Sequence, residues 1–128
     1  MIYLDTSVAL AQLLGETRRP AESLWDNALV SSRLLQYELW SRLHARGLVA
    51  SHGQFARQLL GMLALVELTP PVLERALEPF PVPVRTLDAL HLATVVFLRN
   101  EGQSVQLATF DERLGSAATA LGIPAWTA

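Results

Sequence analysis

Apolar and polar positions alternate along the chain in blocks that switch between the periods of strand and helix. Ile2-Tyr3-Leu4 is a short unbroken apolar run, the pattern of a strand covered on both faces, and it stops abruptly at Asp5. Val8 to Leu14 continues as a mostly apolar helix that Gly15 is placed to end. Pro20 suits the first turn of a second helix reaching about Asn27, and Ala28 to Ser31 reads as the next strand. From Ser32 to Arg46, Leu35, Leu39 and Leu43 form a stripe at helical spacing, and Gly47 closes it. A further helix is expected over Ser51 to Leu65 with Phe55, Leu59, Leu60 and Leu63 inward, then a third strand over Leu65 to Thr69.

Pro70 and Pro71 open a short helix carrying Val72, Leu73 and Leu77, and the prolines at 79, 81 and 83 impose an irregular loop. Thr86 is expected to cap a helix from Leu87 to Arg99 that is apolar nearly all round, the mark of an element buried on several sides. Val105 to Ala108 reads as a fourth strand. A helix to Leu121 follows, with Thr109 and Glu112 at the spacing of a capping box that does not need Asp111. Ile123 to Trp126 reads as a short fifth strand, kept to a sheet edge by Pro124. Strands alternating with helices imply an α/β fold with a parallel sheet and helices on both faces.

Length and composition narrow the class. The 128 residues suit one domain spanning 1–128, and no repeat or low-complexity tract divides it. Although 51% of residues are hydrophobic, the longest apolar stretch, Ala89 to Leu98, is interrupted by His91 and Thr94 and is far short of the roughly 20 residues that span a bilayer. No secretory signal is visible. The absence of cysteine removes disulfides and thiolate metal sites and fits a reducing cytoplasm. With a net charge of -2 the totals point to no long electropositive groove, so nucleic acid would have to be met by a local patch, a bound cation or a partner. All 10 basic residues are arginine, which suits forked contacts with phosphate. With no lysine, a Walker phosphate loop and Schiff-base chemistry are both excluded.

The candidate chemistry lies in four acids. In a parallel sheet, positions just beyond strand ends and in first helical turns gather at one edge, where ligands bind. Asp5, Glu38, Asp88 and Asp111 all occupy such positions. Each also has an ordinary reading: Asp5 as the cap of the following helix, Glu38 as solvated helix surface, Asp111 as a neighbour of the capping box. Asp88 is the hardest to dismiss, because it shares a helix sector with Leu92 and Val95 and a carboxylate there needs a partner. His91, one turn along, reads as a packing or hydrogen-bonding residue. Four carboxylates brought together repel unless a cation sits between them, and an all-oxygen set suits Mg²⁺ or Mn²⁺ better than Zn²⁺.

Leu4-Asp5-Thr6-Ser7, Tyr37-Glu38-Leu39, Leu87-Asp88-Ala89-Leu90-His91-Leu92-Ala93 and Ala108-Thr109-Phe110-Asp111 together resemble the ordered motifs of PIN-domain nucleases, and more narrowly the VapC toxins of toxin-antitoxin pairs. The resemblance implies a three-layer α/β/α sandwich on a five-stranded parallel sheet in the order 3-2-1-4-5. It also implies a homodimer, Mg²⁺-dependent endoribonuclease activity on RNA, and restraint by an antitoxin. Carried over by position, Asp5 and Asp88 become metal ligands, Glu38 and Asp111 complete the cluster, and Thr6, Ser7 and Thr109 orient the carboxylates. Arg85 and Arg113 are placed near substrate phosphate. The surplus apolar surface between Thr17 and Leu65 is the expected dimer face. Two rivals stand beside this reading: a phosphoacceptor receiver domain with strand order 2-1-3-4-5, which the absence of lysine opposes, and a catalytically silent PIN-fold module that binds RNA or protein.

Overall fold

A computed structural model describes residues 1–127. Its sheet is parallel and has four strands, β1 (Ile2–Leu4), β2 (Leu29–Ser32), β3 (Ala64–Val66) and β4 (Gln106–Ala108), in the order β3-β2-β1-β4. This is the expected order without its fifth member, and it excludes the receiver topology. The expected fifth strand reduces to one parallel bridge between Leu107 and Ala125, made by Leu107 N–H donating to the Pro124 carbonyl and Trp126 N–H donating to Leu107. Pro124 has no N–H to extend the ladder, while buried Ile123 anchors the segment from the core side.

The unbroken Ile2-Tyr3-Leu4 run serves two cores. Ile2 and Leu4 face one cluster with Val8, Ala9 and Leu10 of α1 (Thr6–Leu14), Leu35 and Leu39 of α2 (Arg33–Ala45) and Leu59 of α3 (Val49–Gly61). Tyr3 faces the other, with Leu92 and Val95 of α5 (Thr86–Asn100) and Leu114, Ala117 and Ala118 of α6 (Glu112–Ala120). Helices therefore cover both faces. The short α4 (Pro70–Leu77) packs on α5, which accounts for the apolar character of α5 on several sides. Each fully buried aliphatic side chain contributes about 1.5–3 kcal/mol of transfer free energy, so β1 contributes to both layers at once. Among the described residues no helix is long and apolar enough to cross a membrane.

Several local expectations are corrected. Phe55 is 60% exposed, because α3 meets α2 through small residues: Gly53 lies against the Trp40 ring and Ala56 is buried, which turns Phe55 outward. The third strand starts at Ala64, inside the expected helix, since the apolar run from Leu63 to Val66 fits either period. Pro20 to Asn27 forms only a 3-10 turn (Glu22–Asp26), closed by the Asn27 amide donating to the Ser23 and Leu24 carbonyls. Arg85, not Thr86, holds the N-cap position of α5, and no side chain caps that end. Thr109 and Glu112 form no capping box. Asp111 caps α6 itself, accepting from Arg113 N–H at 2.9 Å and Leu114 N–H at 3.2 Å.

Candidate active site

At the carboxyl edge of the sheet, Asp5, Glu38, Asp88 and Asp111 line one open cavity of about 690 Å³. Thr6, Ser7, Arg85 and His91 also line it, together with Arg18, Arg42 and Phe110. Thr109 stands behind Asp5. Arg113 borders a smaller cavity beside it, with Arg85 and Asp88.

Asp5 is the cap of α1, and its two oxygens differ in their partners. Oδ2 accepts from Ser7 Oγ at 2.6 Å, Thr109 Oγ1 at 2.8 Å and Ser7 N–H at 3.3 Å, so it caps α1. Oδ1 accepts from no protein donor among the described residues. Ser7 Oγ in turn accepts from Phe110 N–H at 3.0 Å, and Thr109 Oγ1 accepts from Asp111 N–H at 2.9 Å. The β1–α1 and β4–α6 junctions are thus fastened to each other through hydroxyls on one carboxylate oxygen.

Glu38 is held in a similar way. Its Oε1 accepts from Thr6 Oγ1 at 2.9 Å and pairs with His91 Nε2 at 2.8 Å. On the other side of the ring, His91 Nδ1 lies 2.6 Å from the Tyr3 hydroxyl. Burial pushes the Tyr3 phenol far above its ordinary pKa, so it stays protonated and donates. The assignment that satisfies every group is then Tyr3 O–H to Nδ1 and Nε2–H to Glu38, a buried chain that fixes the carboxylate and leaves Oε2 without a hydrogen-bond partner among the described residues. His91 is the hydrogen-bonding residue that the sequence indicated. Tyr3 carried no signal of its role beyond its strand position.

Asp88 and Asp111 share one cation. Arg85 Nε lies 3.2 Å from Asp88 Oδ2, and its Nη2 lies 2.8 Å from Asp111 Oδ2. The Asp88 carboxyl is nevertheless raised above the usual range: desolvation is the largest cause, Arg85 opposes it, and the Asp111 and Asp5 charges raise it further.

This donor set suits a hard divalent cation. Among the described residues Asp5 Oδ1, Glu38 Oε2 and Asp88 Oδ1 accept no hydrogen bond, Asp5 Oδ1 lying 3.9 Å from His91 Nε2, and they belong to side chains that line the same cavity. Among the described residues, though, no three acids or histidines close on one point as they stand. The Arg85 bridge commits one Asp88 oxygen, and with the α6 cap it commits both Asp111 oxygens.

Sequence reasoning did not single out Arg18, Arg42 or Phe110. Arg18 stacks over the Phe110 ring at 4.7 Å, and both residues also border a second cavity with Trp126. Only the fold joins these positions, so no local pattern marks them.

A parallel sheet carrying carboxylates at its carboxyl edge in this strand order defines a PIN-type α/β protein, and the PIN domain family matches residues 2–120. The chain belongs to the PIN-domain family and, within it, to the VapC-type nucleases. It is 33% identical over 129 residues to Ribonuclease VapC47 of Mycobacterium tuberculosis, covering 95% of this chain and 93% of the relative. It is also 33% identical over 126 residues to Ribonuclease VapC46 of the same species, with the same coverage. Two solved structures share the fold. A toxin-antitoxin complex from Klebsiella pneumoniae has a TM-score of 0.70 at 17% identity, over 94% of each chain. M. tuberculosis VapC20, described as a Sarcin-Ricin loop cleaving toxin, has a TM-score of 0.65 at 21% identity, over 91% of this chain and 95% of that one.

The raised Asp88 carboxyl gives a signed expectation. Its charged form costs the folded state free energy at neutral pH, and that cost fades as pH falls through the raised folded value toward the ordinary one. Arg85 is 61% exposed, so removing its partner strands no buried cation. In EDTA at pH 7, Asp88→Asn should therefore unfold at an equal or higher urea midpoint than wild type, and the gap should close toward pH 4. A mutant clearly less stable at pH 7 would make Asp88 a structural ion-pair residue.

Proposed function

We propose that this chain is a divalent-metal-dependent endoribonuclease, the toxin of a toxin-antitoxin pair, using Mg²⁺ with Mn²⁺ as a substitute. The observation that carries the reading is the gathering of Asp5, Glu38, Asp88 and Asp111 on one cavity, with Asp5 and Glu38 each fixed through one oxygen while the other accepts no hydrogen bond among the described residues. The names of the VapC47 and VapC46 relatives support ribonuclease action. The Klebsiella complex supports an antitoxin partner.

In this reading Asp5, Glu38 and Asp88 hold the ion, and Asp111 completes the set directly or through water. A bound divalent ion would supply a more acidic water as nucleophile and offset charge on the phosphodiester. Thr6, Ser7, Thr109 and the Tyr3–His91 chain keep the carboxylates oriented, a duty whose loss costs about 10–100-fold in metal affinity or activity. Arg18, Arg42 and Arg85 border the cavity, and Arg113 lies next to it. In a chain of net charge -2, these guanidiniums supply the local patch for RNA phosphates. The Phe110 ring under Arg18 suits stacking of an unpaired base beside the scissile bond. A cytoplasmic location would bring RNA and antitoxin together.

The silent binding module is the second reading, and what favours it is that no three acids converge while Arg85 bridges two of them. Cleavage of a structured RNA panel by antitoxin-free protein separates the two. Activity with Mg²⁺ or Mn²⁺ that is lost in EDTA and in Asp5→Asn, and reduced about 10–100-fold in Thr109→Val, is expected of the enzyme. Activity that survives EDTA, or no cleavage together with no growth inhibition on expression, contradicts it.

A homodimer is proposed as well. Tyr37, Phe55 and Met62 are large exposed apolar side chains within the stretch expected to form the interface, although Leu77, at 86% exposure, is more exposed and lies outside it. Light scattering at micromolar concentration should give twice the 14.1 kDa chain mass, and the monomer mass would refute the dimer.

A further inference from the structure

Arg85 joins two acids from separate parts of the chain. Asp88 lies in the first turn of α5, and Asp111 lies at the junction of β4 and α6. One guanidinium fork reaches both, at 3.2 Å and 2.8 Å. No other arginine at the cavity is used this way: Arg18 lies over Phe110, and among the described residues neither Arg42 nor Arg113 is ion-paired with any of the four acids. The bridge occupies one oxygen of Asp88 and one of Asp111. It also meets an electrostatic need, since carboxylates of like charge placed together require a positive group among them.

Two features let this bridge yield. The Arg85 side chain is 61% exposed, so it can swing away without repacking the core. It also stands at the N-cap position of α5 while making no capping hydrogen bond, so its departure undoes no helix end. We propose that Arg85 is the resident cation of the metal-free site: it holds Asp88 and Asp111 in place, competes with the divalent ion for their oxygens, and is released toward the substrate phosphate when the ion binds. This rests on the metal-dependent reading above. It adds that the arginine and the ion exclude each other, so Arg85 is a positioning residue in the metal-free protein and a phosphate contact only in the loaded one.

Calorimetric titration of Mn²⁺ into the full chain reads the competition without any need for cleavage. Arg85→Ala should bind Mn²⁺ roughly threefold to tenfold more tightly than wild type, the scale of two exposed charge pairs lost together. Arg85→Gln, which keeps length and donors but not charge, should change in the same direction. Arg113→Ala removes the same charge without breaking a bridge and should stay within about twofold of wild type. In ¹⁵N-labelled wild type, the Arg85 Nε–H resonance should shift in step with Mg²⁺ occupancy. Unchanged or weaker Mn²⁺ affinity in both Arg85 variants, or an Nε–H resonance indifferent to Mg²⁺, overturns the proposal while wild-type metal binding leaves the nuclease reading standing. Absence of metal binding in wild type and variants alike overturns both.

Discussion

Three donors converge on a single oxygen of Asp5, and the geometry of the cavity depends on them. Ser7 Oγ and Ser7 N–H come from the helix that follows β1, and Thr109 Oγ1 comes from beyond β4. The two hydroxyls pass the constraint onward to the backbone N–H groups of Phe110 and Asp111, which fixes where α6 begins. Hydrogen bonds to a charged group contribute about 1.5–3 kcal/mol each, so this is a strong tie between segments more than a hundred residues apart in sequence. It works only because β1 and β4 are parallel neighbours and bring their carboxyl ends to one edge.

Gathering carboxylates at that edge is electrostatically unfavourable, and different acids are compensated in different ways. Asp5 and Asp111 sit at helix N-termini and accept backbone N–H groups there. Glu38 is held by Thr6 and by the buried His91–Tyr3 chain. Asp88 lies in the first turn of α5 and among the described residues its side chain is hydrogen-bonded only to Arg85, while burial raises its carboxyl. The compensation is deliberately partial in one geometric respect: Asp5, Glu38 and Asp88 each retain an oxygen that no protein donor satisfies among the described residues.

Much of this was legible from the chain. An apolar run ending on an acid announced β1 and Asp5, and the ordered motifs placed all four acids on what proves to be a single cavity. Local alternatives were harder to separate, because a cap and a cavity-lining carboxylate have the same sequence signature, and Asp5 and Asp111 turn out to be both. Long-range partners were not legible at all. Tyr3 and His91 are 88 residues apart, and nothing in either neighbourhood signals that their side chains meet. Phe55 misled because helical periodicity fixes a face only when its residues are similar in size, and here Gly53 and Ala56 set the contact. The fifth strand failed on backbone chemistry: Pro124 allows a bridge and no more.

The proposed function requires one cavity at the carboxyl edge of the sheet to hold a divalent ion on Asp5, Glu38 and Asp88. Anomalous diffraction from crystals soaked in Mn²⁺ tests it most directly. One strong anomalous peak is expected in this cavity, at a hard-cation coordination distance of roughly 2.0–2.2 Å from Asp5 Oδ1 and Asp88 Oδ1. A peak outside the cavity, or no peak at saturating Mn²⁺, would contradict it.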